Sequence, residues 1–360
     1  MNSIFTPYLE KIEKEIDMAL PKASNENWQK TSFGTLPGCV TESTFTPLVQ
    51  PTRSLIDLGG KRWRPLFLVL CAEAYSKGSS PSILDSAYHL TPLVEFVHTA
   101  SLIHDDIEDS SESRRNQPAA YITYGMDVAI NAGSWLYFEA STCIDTLKAD
   151  AETQLNLYRI YTEELRRLHL GQAMDITWHR DTSFCPSEEQ YLAMVKNKTG
   201  TLASLAAKIG VSTAGAPQEI YDRCGLTASE IGAGFQIIDD VINLTTGNPG
   251  KKRGDDIVEN KKSLPVIMFA QKYGTDSKEF KELTHHFAEA KKDGIDSPSV
   301  EEAIKLLEES GCIESARLRG IQFINDSCKA FGTVFGSDND GTKKITELFT
   351  AMVPSSVSRG

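Results

Sequence analysis

The sequence predicts an all-α protein, a single large helical bundle, and three observations predict it. Apolar residues recur at helical spacing along most of the 360-residue chain. No segment alternates apolar and polar residues as a half-buried strand does, and no Asn-Gly hairpin joins β-branched runs. Clusters of Gly, Pro, Ser and Asn punctuate the periodic segments without separating two self-sufficient cores. The expected domain is 1–353, with a flexible tail at 354–360.

The elements follow in chain order. Phe5, Leu9, Ile12, Ile16 and Leu20 form one helical stripe, and Thr6-Pro7 is a good start for it. Residues 22–52 are rich in Ser, Thr, Asn, Pro and Gly and read as a long irregular loop. Gly59-Gly60 frees the backbone before Pro65, which suits the first turn of a helix. Long apolar-rich helical segments are expected over 82–109, 127–147, 154–177, 187–213, 226–244 and 299–331. Shorter breaks fall at 78–81, 247–250 and 336–341.

Composition narrows the function. With 37 Lys and Arg against 49 Asp and Glu, the formal net charge is −12, which does not fit a nucleic-acid binder. Yet the basic residues are knotted: Lys61, Arg62 and Arg64; Arg114 and Arg115; Lys196 and Lys198; Lys251, Lys252 and Arg253; Lys261 and Lys262. Cationic knots in an acidic chain suit compact anionic ligands rather than a polyanion. The seven cysteines are dispersed without a C-x-x-C pair, so they read as small buried thiols, neither a disulfide framework nor a zinc site. No apolar run reaches the roughly 18 residues that span a bilayer. The N-terminus lacks the layout of a signal peptide, and a cytoplasmic protein is expected.

Two acidic clusters each close an apolar helical run. The first is EFVHTASLIHDDIED, from Glu95 to Asp109. On a helix Asp105 and Asp109 lie one turn apart on one face, where like charges repel. A hard divalent cation removes that repulsion, and Mg²⁺ takes one or two carboxylates while keeping water and phosphate oxygens as its other ligands. The macrodipole disfavours acids at a helix C-terminus, so stability alone does not explain them. The second cluster is Asp239-Asp240 in GFQIIDDVIN, flanked by apolar residues on both sides. Carboxylates there need partners. Together the two clusters read as opposing walls of a metal-filled pocket. Basic groups stand beside them: Lys61 and Arg64 in GGKRWRP near a helix N-terminus, Arg114 and Arg115 after the first cluster, Lys198 and Thr199 in KNKTG, and Lys251 and Lys261 after the second. Cations next to metal-binding carboxylates make sense for diphosphate ligands.

From about residue 54 to 270 the chain resembles the trans-isoprenyl diphosphate synthase, or polyprenyl synthetase, family. The motifs come in family order: GGKRWRP at 59–65, DDIEDSSESRR at 105–115, GQAMD at 171–175, KTG at 198–200, FQIIDD at 235–240 and GKKRGDDIVENKKSLP at 250–265. The resemblance implies an all-α isoprenoid-synthase bundle around a central substrate cavity, usually a homodimer. It implies a prenyltransferase that joins isopentenyl diphosphate to an allylic diphosphate. Asp105 and Asp109 would bridge two Mg²⁺ ions and Asp239 would hold a third, with Asp106 and Asp240 orienting water or binding more weakly. Arg114, Lys198, Lys251 and Lys261 would contact the allylic diphosphate. Lys61, Arg64, His98 and Arg115 would form a metal-free pocket for isopentenyl diphosphate. Thr199 and Gln236 would stabilise the allylic cation by their dipoles, and the proton would leave with the diphosphate. No side-chain nucleophile is required.

The chain departs from the family at Asn243, where a third Asp is common, and at Asn116 and Asn260, which replace glycines. Asn tolerates a left-handed backbone, so both turns are expected to survive. Ala100 and Ser101 stand a turn above Asp105, where short-chain synthases carry bulky aromatics; small residues there imply a geranylgeranyl or longer product. Trp135, Tyr137 and Phe138 are candidates for a deeper plug. A terpene cyclase of the same fold would not need GGKRWRP, and a non-catalytic subunit of a hetero-oligomeric synthase would tend to lose the first carboxylate motif.

Overall fold

The computed structural model describes residues 3–78, 80–181, 184–247 and 252–353. The expected tail at 354–360 lies outside them, as does Lys251. After a 3₁₀ turn at Ser3–Phe5 come α1 (Thr6–Ala19), α2 (Glu26–Phe33), α3 (Glu42–Asp57), α4 (Trp63–Ser76), α5 (Pro81–His89) and α6 (Thr91–Glu108). A two-stranded ribbon of β1 (Ser113–Arg114) and β2 (Gln117–Pro118) follows, then α7 (Ala120–Tyr124), α8 (Met126–Ala140), α9 (Thr142–Asp145), α10 (Ala151–Arg180) and α11 (Glu188–Val195). A π-helical turn at Lys196–Gly200 leads into α12 (Thr201–Thr213). The remainder is α13 (Gln218–Leu244), α14 (Asp255–Val258), α15 (Leu264–Tyr273), α16 (Lys278–Asp293), α17 (Pro298–Glu309), α18 (Cys312–Phe335) and α19 (Asp340–Met352). The all-α expectation holds, apart from the ribbon.

The chain forms two compact units. Among the described residues, the first comprises those within 1–164, 202–226 and 331–351, and the second those within 165–201, 227–330 and 352–360.

In the first unit α4 is apolar all round and therefore buried. Leu66 through Ala72 have no exposed surface, and each large side chain there contributes roughly 1.5–3 kcal/mol. Phe67 meets the ring edges of Phe331 and Phe349. Gly210 lets α12 close on α4, since a Cβ there would lie 2.3 Å from the Leu68 carbonyl oxygen.

Residues 22–52 are not an irregular loop; they hold α2 and most of α3. Their composition is that of a loop, but capping and burial override it. Asn25 accepts from the Trp28 amide, and Thr41 and Thr44 form a capping box. Trp28 and Phe33 then pack on Trp135 of α8, and Phe45 packs on both of them. Buried Glu139 accepts from Trp28 Nε1 at 2.8 Å and Ser32 Oγ at 2.7 Å. The ribbon was also unforeseen, because a two-residue strand carries no alternation. Its turn is Arg115-Asn116, both left-handed, with φ of 54° and 62°. Asn260 is left-handed too, at 59°.

The core of the second unit draws on α11, α13 and α15–α18. Gly234 of α13 meets Gly320 of α18, whose carbonyl oxygen would lie 2.9 Å from a Cβ on Gly234.

Candidate active site

Helix α6 carries one functional stripe on an otherwise buried rod. Leu93, Val94, Phe96, Val97, Ala100 and Ile103 fill the core, while Glu95, His98, Asp105 and Asp109 recur at intervals of three, seven and four residues along one side. At its upper end the stripe meets the GGKRWRP segment. Arg64 stacks over the Trp63 ring at 4.5 Å, and its Nη1 is 3.4 Å from His98 Nε2. Its Nε is buried, with no hydrogen-bond partner among the described residues. Burial, with Arg115 nearby, brings the Arg64 guanidinium down to about 10, although Glu95 opposes this. Burial and the surrounding Arg64, Arg115, Arg114 and Arg62 hold His98 well below the usual imidazole range, so it is neutral at pH 7. Arg115 donates to the Gly59 carbonyl. The bare Cα of Gly60 makes room for it, since a Cβ there would lie 3.3 Å from the guanidinium. Lys61 is exposed.

Arg62 has a different job from its neighbours. It is buried, with a left-handed backbone. It donates to Glu95 at 2.6 Å, Glu13 at 2.7 Å and the Ile56 carbonyl at 2.7 Å. It therefore fixes the start of α4 and orients Glu95, leaving Arg64 and Arg115 as the less compensated cations.

At the lower end of α6, alternate carboxylates are spent differently. Asp106 is buried and accepts from Arg114 Nε at 2.8 Å and also from its Nη2. The same Nη2 reaches Asp105 Oδ2 at 3.5 Å. Asp105 and Asp109 stay partly exposed. They offer hard oxygen donors one turn apart, a donor set that fits Mg²⁺ completed by phosphate and water. Asp106 serves as the anchor of Arg114.

Ala100 is fully buried, and its carbonyl accepts from or faces His104 Nδ1 at 3.0 Å. Ser101 donates to the His98 carbonyl at 2.8 Å. The His104 ring stacks on Tyr137 at 5.6 Å over the bare Cα of Gly133. Of the three plug candidates only Tyr137 stands here. Trp135 is engaged with Trp28 and Phe33, and Phe138 is 76% exposed.

In the second unit the KNKTG segment is a π turn, a geometry common at functional sites. Glycines hold it. A Cβ on Gly171 would lie 2.2 Å from Lys198 N, and one on Gly232 would lie 2.5 Å from Gly200 Cα. The turn puts Lys198 Nζ 2.5 Å from Asp175 Oδ2, while Asp175 Oδ1 meets His179 Nε2 at 2.8 Å. Burial pushes the Asp175 carboxyl up, but His179 and Lys198 outweigh it and hold it well below the carboxylate range. Thr199 donates to Gln236 Oε1 at 2.9 Å, Gln236 donates to Asp240 at 3.0 Å, and Tyr191 donates to Asp240 at 2.7 Å. Burial and then Asp256 raise Asp240 to about 7, against the bonds from Gln236 and Tyr191. Asp239 is exposed. Asn243 is buried and its Oδ1 accepts from Asp256 N at 3.3 Å, so it fastens α14. Lys261 pairs with Glu259 at 2.5 Å and Asp256 at 3.5 Å.

Asp175, His179 and Tyr191 belong to this site although their residue types and motif context alone assign them no role. The spacing of Asp175 and His179, four residues apart on α10, is a local signal for their contact. Nothing local ties Tyr191 to Asp240.

Residues 46–303 match the family model described as polyprenyl synthetase. The geranylgeranyl diphosphate synthase of Methanosarcina mazei is 36% identical over 222 residues, 61% of this chain and 66% of that protein. Geranylgeranyl pyrophosphate synthase 2 of Zymoseptoria tritici is 38% identical over 224 residues, 61% of this chain and 63% of that protein. The matched stretch thus spans just under two thirds of these curated relatives. Among solved structures, the geranylgeranyl pyrophosphate synthetase of the archaeon Geoglobus acetivorans gives a TM-score of 0.76 at 25% identity, covering 98% of this chain and 99% of that one. A decaprenyl diphosphate synthase from Rhodobacter capsulatus shares the fold, with a TM-score of 0.77 at 23% identity over 97% of each chain.

Proposed function

The chain belongs to the polyprenyl synthetase family, and on that premise we propose that it is a magnesium-dependent prenyltransferase condensing isopentenyl diphosphate with an allylic diphosphate. The observation that carries this reading is the stripe on α6. On α6, neutral His98 stands with the cations Arg64 of α4 and Arg115 of the ribbon turn, and two turns further on the same helix presents a pair of part-exposed carboxylates at Asp105 and Asp109. A metal-free anion pocket beside a metal-binding pair suits two diphosphate substrates; a cyclase has one.

Lys61, Arg64 and Arg115 bind isopentenyl diphosphate, and neutral His98 serves as a hydrogen-bond partner. Arg114, Lys198 and Lys261 bind the allylic diphosphate, together with Lys251. Magnesium ions, two held by Asp105 and Asp109 and one by Asp239, would supply positive charge to the leaving diphosphate. The allylic carbon–oxygen bond breaks with its electron pair on the diphosphate. The Thr199 hydroxyl and the Gln236 amide, aligned by Asp240, stabilise the carbon cation by their dipoles. The isopentenyl double bond then forms the new carbon–carbon bond, and the departing diphosphate takes the proton.

The small side chains at Ala100 and Ser101 favour a geranylgeranyl or longer product, and the relatives named geranylgeranyl diphosphate synthases agree with that length. We assign the working form as a homodimer, because α8 exposes Met126 (53%), Ile130 (44%) and Phe138 (76%). No helix among the described residues is long and apolar enough to cross a membrane.

Diphosphate release from an allylic primer, with and without isopentenyl diphosphate, tests the reading. Release that requires both substrates and Mg²⁺ is expected. Release from the primer alone would make the protein a cyclase, and no release would make it non-catalytic.

A further inference from the structure

A cavity in the second unit lies outside all these roles. It has a volume of about 40 Å³, enough for roughly three waters. Its walls are apolar: Phe184, Val266 of α15, and Phe280, Leu283 and Phe287 of α16. Two lysines also line it. Lys291 is exposed, whereas Lys262 is buried, with 8% of its surface accessible.

Lys262 is an unusual occupant of such a wall. An ammonium has three N–H donors; one goes to Asn260 Oδ1 at 2.9 Å. The Asn260 amide is itself fixed, because its Nδ2 donates to the His179 carbonyl at 3.3 Å. Among the described residues no carboxylate stands within ion-pair distance of Lys262. Burial lowers its affinity for the proton and Lys291 lowers it further, with Cys185 and Asp181 offsetting part of this from a distance. A buried cation with a neutral partner is costly unless something anionic joins it.

We propose that this cavity is a binding site for a small carboxylate with a short apolar tail, about the size of propionate. Its carboxylate would accept from Lys262 and draw in Lys291. Its tail would lie against the phenylalanine rings. A diphosphate carries more negative charge than two lysines balance and would press its oxygens against the phenylalanine rings, so the site is separate from the substrate sites proposed above.

Saturation-transfer NMR on the full chain with sodium propionate as the probe tests this. We expect saturable transfer to the propionate methyl group, undiminished by saturating inorganic diphosphate and Mg²⁺. Lys262→Met should weaken binding at least about tenfold, as loss of a charge-assisted hydrogen bond does. Lys291→Ala should weaken it by a smaller factor. Equal transfer to 1-propanol would mean a merely apolar hole and would overturn the proposal. So would displacement by diphosphate, which would place the probe in a substrate site, or undiminished binding by Lys262→Met. If Lys262→Met does not fold, the exposed Lys291→Ala decides, and unchanged affinity in that variant overturns the proposal.

Discussion

Replacing Arg64 by Met should separate stability from function. The Arg64 guanidinium is brought down from the ordinary arginine range to about 10 by burial and by Arg115. At pH 7 it remains charged, so the folded state carries an electrostatic penalty of roughly 3 kcal/mol at this position. Met retains much of the apolar stem over Trp63 and removes the charge, so Tm should hold or rise by a few degrees. A guanidinium bonded to phosphate contributes about 1.5–3 kcal/mol. The KM for isopentenyl diphosphate should therefore rise about 10- to 150-fold while the KM for the allylic substrate changes little. The sign with pH follows from the depressed value. The penalty is fully present below about 10 and is relieved above it, so the stability difference between the two proteins should be flat from pH 6 to about 9. The assays are thermal unfolding across that range and steady-state kinetics with each substrate varied in turn. A variant that unfolds many degrees lower with an unchanged isopentenyl KM would refute the reasoning, because Arg64 would then be a structural cation like Arg62.

Four further outcomes follow from the same geometry. Asp105→Ala and Asp239→Ala should each lower turnover at least about a hundredfold with little change in Tm; near-normal rates at saturating Mg²⁺ would remove both from the metal site. Asp175→Asn should raise the allylic KM and lower stability by about 3 kcal/mol, the scale of a broken buried pair; because the folded carboxyl is depressed, this loss should be full above about pH 4 and shrink in acid as wild type loses the same contribution. Ala100→Phe should shorten the product, read by chromatography of the dephosphorylated prenols; an unmoved chain length would separate Ala100 from length control. Phe138→Glu should convert a dimer to a monomer in light scattering, whereas an unchanged mass would place the interface elsewhere.

Adjacent residues of like charge mark where the sequence stops and the tertiary structure begins. The spacing along α6 put Glu95, His98, Asp105 and Asp109 on one side, and Asn116 and Asn260 occupy the left-handed turns that their residue type allows. These are local properties, set by about 100° of rotation per helical residue and by backbone sterics. Residue type and periodicity did not separate Arg62 from Arg64, Asp105 from Asp106 or Asp239 from Asp240, which the family resemblance alone distinguished, and nothing in the sequence chose between Tyr137 and Phe138. Each pair is alike in composition, and each was divided by a partner remote in sequence or across a turn: Glu13 and Glu95 for Arg62, Arg114 for Asp106, Tyr191 for Asp240, and His104 for Tyr137. Residues 22–52 show the same limit, since a loop-like composition became helix once Trp28 and Phe33 found Trp135 and Phe45 closed on them. Burial of a polar or aromatic side chain is settled by the partner that satisfies it, and a one-dimensional pattern carries its own periodicity but not the identity of a partner a hundred residues away.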